Sequence, residues 1–275
     1  MPSNSLRIDA LTPTIGAEVS GVDLTEPLND DTVEDIHQAM LRHQVLFFRD
    51  QALDLDTLSA FGLRFGAPHT HPSHPDEPGY RGIMKLHTDA QSKTYGGRKW
   101  HSDVTCDVAP PMASILHLHQ VPETGGDTLF GNMVAAYEAL SPTLQAMLAN
   151  LTALHTSKAN FLGYYGSKDD DLRDGDYPEA EHPVIRTHPE TGRKALFVNE
   201  IFTSHMIGLE PELSRQILDF LYGHIREPRF QCRFRWRPNS VAFWDNRSTQ
   251  HLAMWDYFPE TRSGHRFTVR GDRPI

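Results

Sequence analysis

Short apolar runs separated by turn residues open the chain: Leu6-Arg7-Ile8, then Pro13 and Gly16, then residues 17–22. Residues 31–42 carry apolar positions at helical spacing behind Asn29 and Asp30 as a cap, and stop before the apolar run Gln44-Val45-Leu46-Phe47-Phe48. The pattern predicts strand, strand, helix, strand. Residues 54–65 bring Leu55, Leu58, Phe61 and Leu63 or Phe65 round at helical intervals, and Gly66 supplies the stop.

Residues 67–99 differ in kind, being rich in Pro, Gly and His, with a short apolar interruption at Ile83-Met84. Long irregular segments inside a compact domain tend to be lids or binding loops, and this one is expected to be lid-like. Residues 112–119 and 127–130 then read as strands, and 133–154 as mostly helical, with Ser141-Pro142 starting a second helix. A second irregular, lid-like segment covers 158–183, and its charge run at 168–176 reads as a solvated face. Strand signals return at Val184-Ile185 and at 194–198, followed by an amphipathic helix over 210–224 and three strands over 230–236, 240–244 and 265–269. With no repeat or linker to divide the chain, the pattern predicts one mixed α/β domain over 1–275, an antiparallel sandwich or jelly roll with flanking α-helices.

Composition narrows the function classes. The 275 residues are 39% hydrophobic and 23% charged, enough for a sizeable core, and the formal charge is −10. That sign argues against a phosphate-backbone partner, which needs clustered Lys and Arg. No stretch reaches the roughly 20 apolar residues of a membrane span, and the start lacks signal-peptide features, so the expected location is cytoplasmic. Cys106 and Cys232 are too few and too far apart for a disulfide framework or a zinc site. The 16 histidines are the unusual number, and imidazole is the commonest metal ligand.

Two ligands spaced i and i+2 on a strand face the same way, so His-x-Asp with a distant His fits the 2-His-1-carboxylate triad of non-haem iron oxygenases. Three pairs are present: His74-Pro-Asp76, His87-Thr-Asp89 and His101-Ser-Asp103. Chance supplies about one such pair in a chain this rich in His and Asp, so context decides. His74-Pro-Asp76 lies in a proline-rich turn, and His87-Thr-Asp89 fits a strand end. His101-Ser-Asp103 leads through a Pro110-Pro111 corner into a strongly apolar strand, the placement a rigid ligand pair requires. His117-Leu-His119 has the spacing of a two-histidine site, which would suit a cupin-like metal protein that does not use 2-oxoglutarate.

The strings Trp100-His-Ser-Asp-Val-Thr105, Thr124-Gly-Gly-Asp-Thr-Leu129, Ala195-Leu-Phe-Val-Asn-Glu200, Phe243-Trp-Asp-Asn-Arg247, Thr249-Gln-His251 and His265-Arg266 together resemble the Fe(II)- and 2-oxoglutarate-dependent TauD/TfdA (taurine dioxygenase-like) family, as do Ile15-Gly-Ala-Glu-Val-Ser-Gly21 and Leu41-Arg-His-Gln-Val45. The resemblance covers nearly the whole chain. It implies a double-stranded β-helix (jelly-roll, cupin-like) core, and Fe(II), 2-oxoglutarate and dioxygen as cofactor and co-substrates.

By the same resemblance His101, Asp103 and His251 match the iron ligands, and Thr128 and Arg262 the residues that hold the distal carboxylate of 2-oxoglutarate. Arg266 matches the clamp on the anionic head of the substrate, with His71, Val104, Phe161 and Phe202 beside it. Two positions depart from the family: His74 replaces a tyrosine of the substrate pocket and Gly97 an asparagine. The implied activity is hydroxylation of a C–H in a small anionic substrate, taurine or another sulfonate, or else an alkyl sulfate or aryloxyalkanoate. A homodimer or homotetramer is implied as well.

Overall fold

The computed structural model describes residues 6–72, 74–158 and 177–275. Strands β1 (Arg7–Ala10) and β2 (Ala17–Ser20) form a hairpin that leads into helix α1 (Asp30–His43) and strand β3 (Val45–Phe48). The side chain of Asn29 caps α1 by accepting from Thr32 N at 2.8 Å, and acids in the first turn and bases in the last complement the helix dipole. Gln44, at φ 66°, ends the helix and turns the chain directly into β3. Helix α2 (Leu55–Leu63) starts with a capping box between Asp54 and Thr57. It is followed by β4 (Ile83–Thr88), β5 (Ala113–Gln120), β6 (Thr128–Asn132), α3 (Met133–Glu138), α4 (Pro142–Leu148) and β7 (Thr152–Thr156). Then come β8 (Glu179–Pro183), β9 (Ile185–Thr187), β10 (Lys194–Leu196), β11 (Thr203–Met206), α5 (Pro211–Ile225), β12 (Gln231–Phe234), β13 (Ser240–Asp245), β14 (Thr249–Ala253) and β15 (Arg262–Val269).

Seven strands build the large sheet in the order β1-β2-β3-β13-β5-β15-β4, antiparallel except for the β2–β3 pair. A three-stranded sheet, β12-β6-β14, faces it. Between the two sheets lie Phe47, Phe130, Phe234, Trp236 and Trp244, with Phe47 stacked on Phe234 at 3.9 Å. Strand alternation sends Leu46, Phe48, Ile115, Phe243 and Phe267 to the opposite face of the large sheet, beneath α1 and α2. Gly62 lets α2 lie against β15, since a Cβ there would sit 2.3 Å from the Phe267 ring. Phe47 is fully buried, and truncating it to alanine would cost about 3–5 kcal/mol. A further layer, with β7, β8, β11, α3 and α5, packs through Ala153, Met206, Leu218 and Leu221. The architecture is the mixed α/β jelly roll that the sequence implied.

Three local expectations need correction. The helical reading of 133–154 overran, because residues 152–156 pair with β8 and β11 as strand β7, whose alternate side chains are buried. Both irregular segments are shorter than read: Ile83-Met84 belongs to strand β4, an edge of the large sheet paired with β15, and Glu179–Pro183 is strand β8, paired with β7, while 159–176, with the charge run, lie outside the described residues. His101 and Asp103 do not lie on a continuous strand: His101 makes an isolated bridge to His251, and Asp103 opens a turn that includes Val104 at φ 47°.

Candidate active site

The bridge between His101 and His251 is what brings two distant parts of the sequence to one point. Backbone hydrogen bonds run both ways between them, at 3.1 and 2.8 Å, and the two rings stand 4.1 Å apart. Asp103, two residues on, closes the group: one ligand atom from each of His101, Asp103 and His251 lies within 4.8 Å of the others, and all three residues are buried. Among the described residues no other His, Cys, Asp or Glu group meets that test.

Hydrogen bonds assign the protons. His101 Nδ1 lies 2.8 Å from the Lys99 carbonyl, which only accepts, so Nδ1 carries the hydrogen and Nε2 presents a lone pair. That Nε2 faces Asp103 Oδ1 at 3.8 Å, and His251 Nε2 faces the same oxygen at 4.0 Å. Burial pushes both imidazoles below the ordinary histidine range, His251 well below. Burial alone would raise the Asp103 carboxyl, but the Arg266 charge, the two histidines and the Ser114 hydroxyl outweigh it and hold it well below the usual carboxylate range. An imidazole lone pair aimed at a carboxylate is repulsive unless a cation lies between them. Two neutral nitrogens and one carboxylate therefore fit a divalent metal such as Fe(II), with coordination positions to spare.

These three side chains line a cavity of about 270 Å³. Arg262 and Thr128 meet in the same cavity. Arg262 Nη2 reaches Thr128 Oγ1 at 3.5 Å, and Trp236 Nε1 donates to that hydroxyl at 3.0 Å. The Arg262 Nε is buried with no hydrogen-bond partner, and no carboxylate pairs with this guanidinium among the described residues. A partly buried guanidinium of this kind, with its Nε unpartnered, is set up to receive an anion.

Arg266 differs, because its Nη1 donates to Asp103 Oδ1 at 2.7 Å. His71, His74, Val104 and Phe202 also line the cavity, as the sequence implied, whereas Phe161 lies outside the described residues. The His74 imidazole is pushed down to about 4 by burial and by Arg266, so it is neutral near pH 7. Gly97 packs beside His101, where a Cβ would stand 3.3 Å from Cε1.

The other candidates do not join the cluster of His101, Asp103 and His251. His87 lies on β4, bonded to Ser263 Oγ and Asp89, and its side chain is 40% exposed. His74 and Asp76 do not join any cluster with metal-ligand geometry. His117 and His119 point from β5 away from the ligand cluster, with His117 Nε2 against Asn239 Oδ1 at 3.3 Å. Sequence reasoning missed the exposed Arg98 and Lys99 at the cavity mouth, and Trp236 behind Thr128. Their residue types carry no spacing signal that would have found them.

Residues 7–269 match the family described as taurine catabolism dioxygenase TauD, TfdA family. The chain is 37% identical to an alkylsulfatase of Acinetobacter baylyi over 98% of this chain and 87% of that protein. It is 35% identical to an alpha-ketoglutarate-dependent sulfate ester dioxygenase of Pseudomonas putida, over 98% of this chain and 91% of that protein. Among solved structures, a taurine dioxygenase from Burkholderia xenovorans superposes with a TM-score of 0.85 at 37% identity, covering 100% of this chain and 91% of the other. Among the described residues no helix is long and apolar enough to cross a membrane.

Proposed function

The chain belongs to the TauD/TfdA family and is a 2-oxoglutarate-dependent dioxygenase, and from that premise we propose that it hydroxylates a small organic sulfate ester or sulfonate that carries no ammonium group. The observation that carries the reading is the pairing, in one cavity, of a buried His-Asp-His cluster with a partly buried guanidinium that has no carboxylate partner among the described residues.

His101, Asp103 and His251 hold Fe(II) in this reading. The bound iron supplies the dioxygen chemistry that couples decarboxylation of 2-oxoglutarate, giving succinate and carbon dioxide, to hydroxylation of a substrate C–H. Arg262 and Thr128 anchor the distal carboxylate of 2-oxoglutarate; a guanidinium presents a planar fork and stays charged when buried. Arg266 takes the sulfate or sulfonate, with the neutral His71 and His74 as hydrogen-bonding neighbours and Val104 and Phe202 against the carbon chain. A carbon that bears sulfate and gains a hydroxyl collapses to a carbonyl compound and free sulfate.

The acids of the cavity support the exclusion of an amine. Asp103 is paired with Arg266, and Glu200 with Arg226 at 2.6 Å, so neither is available to an ammonium. Arg98 and Lys99 make the mouth attractive to anions instead. The 67–99 segment supplies much of one cavity wall, which supports its role as a lid in a single domain. A homodimer or homotetramer belongs to the same proposal, and sedimentation equilibrium tests it.

A succinate-release screen over alkyl sulfates, alkanesulfonates, taurine and aryloxyalkanoates tests the substrate class. Alkyl sulfates or alkanesulfonates should stimulate most, and taurine little. Preference for taurine, or for an aryloxyalkanoate, would overturn the assignment.

A further inference from the structure

The Phe243-Trp-Asp-Asn-Arg247 string has no part in the reaction as described so far, and two of its residues, Trp244 and Asn246, reach the site. Both lie behind Asp103. Trp244 Nε1 is 2.9 Å from Asn246 Oδ1, Asn246 Nδ2 is 3.0 Å from Ser114 Oγ, and Ser114 Oγ is 2.7 Å from Asp103 Oδ2. All four residues are at most 4% exposed, so solvent does not compete for these bonds.

The direction of the chain follows from donor chemistry alone. An indole N–H can only donate, so the Asn246 atom it meets must be the carbonyl oxygen, which fixes the orientation of the amide. The Asp103 backbone N–H donates to the same oxygen at 3.3 Å, in agreement. The amide NH2 of Asn246 must then point at Ser114 and donate to it. Since Ser114 Oγ accepts there, its single proton goes to Asp103 Oδ2. Every bond in the line is therefore polarised towards the carboxylate.

We propose that Trp244, Asn246 and Ser114 are positioning residues that hold the Asp103 carboxylate with Oδ2 engaged and only Oδ1 turned to the two histidines. This inference rests on the reading of His101, Asp103 and His251 as the metal site. A carboxylate has two equivalent oxygens and a freely turning Cβ–Cγ bond. Left unrestrained, it samples orientations that tilt Oδ1 away or present both oxygens, consuming a coordination position that 2-oxoglutarate or dioxygen needs. Asn246 restrains it twice, at the backbone N–H directly and at the carboxylate through Ser114. The register explains how the sheet builds this support: Trp244 and Ser114 are directly paired across β13 and β5, and Asn246 follows at the end of β13.

The test titrates Co(II) into the metal-free full-length protein and into Ser114→Ala, Ser114→Thr and Asn246→Asp, following the cobalt absorption bands, with Tm measured alongside. Ser114→Ala should lose ~10-fold or more in Co(II) affinity, within the range that supporting residues of metal ligands command, and Ser114→Thr, which keeps the hydroxyl, should recover most of it. Asn246→Asp keeps the volume but puts an acceptor where the amide donated, drawing the Ser114 proton away from Asp103; it should weaken Co(II) without removing any atom that touches the carboxylate. Parent-like affinity in Ser114→Ala, or equal losses in the Ala and Thr variants at unchanged Tm, would overturn the proposal. If Ser114→Ala does not fold, Asn246→Asp decides: unchanged affinity sinks the relay. Failure of the parent protein to bind Co(II) at all would instead count against the metal site itself.

Discussion

Arg266 Nη1 donates to Asp103 Oδ1 at 2.7 Å, with both side chains less than a tenth exposed, so the proposed substrate clamp holds the same carboxylate oxygen that the proposed metal would take. Each supplies charge that the other needs in the absence of metal and substrate.

Arg266→Ala separates these roles. Breaking a buried pair leaves Asp103 uncompensated, so the metal-free variant should lose about 3–5 kcal/mol of stability. Metal restores a cation beside Asp103. Thermal melts with and without Co(II) should therefore show a gap for the variant that is wider than the parent's. In the loaded enzyme the apparent KM for an anionic substrate should rise roughly 30-fold or more, while substrate-free 2-oxoglutarate turnover persists. Undiminished substrate affinity would rule out the clamp.

Arg262 predicts the opposite sign for stability. Arg262 is partly buried, with its Nε buried and no carboxylate partner among the described residues, so Arg262→Met should leave the ligand-free Tm unchanged or higher. The rise in Tm that 2-oxoglutarate gives the metal-loaded parent should vanish in this variant. A variant that is destabilised yet still gains Tm from 2-oxoglutarate would place the anchor elsewhere.

His101 and His87 head competing His-x-Asp pairs, and iron content distinguishes them. His101→Ala should abolish stoichiometric Fe(II), whereas His87→Ala, on the exposed side of β4, should retain it. Equal loss from both would reopen the choice.

Acid should destabilise the metal-free protein in a defined window. Burial pushes His74 and His117 down to about 4 and His155 to about 3. Their surroundings add to it: Arg266 beside His74, His119 and His265 beside His117, and His182 beside His155. Above the unfolded value of about 6.5 neither state binds these protons; below it the unfolded chain takes them up and the native protein resists. Stability is then full above about pH 6.5 and declines as pH falls towards 4. A Tm flat across that interval would show that these sites do not stay neutral in the native protein.

How much of this was legible without coordinates can be read from particular residues. The amphipathic period of α1, with Asn29 as its cap, and the alternation in β5 are local properties, dictated by side-chain size and polarity at spacings of 3.6 and 2. The proposed iron ligands and the two arginines of the cavity were legible as a family resemblance, because their strings carry specific residue types at specific separations. The helix over 133–154 was overdrawn because Ala153 and His155 are buried by pairing with β8 and β11, a contact the local pattern does not encode.

The sequence by itself thus determined most of the elements, the jelly-roll class and the main candidate side chains for the chemistry. Only the tertiary structure decided which of them face one another. His101 meets His251 through a backbone bridge, Arg266 closes on Asp103, and Trp244 hands its hydrogen bond through Asn246 and Ser114 to the same carboxylate. The physical reason is range. Helix and strand propensities act over a few residues, while coordination, ion pairing and hydrogen-bond direction are set by distances of 3–4 Å between groups that the sheet alone brings together.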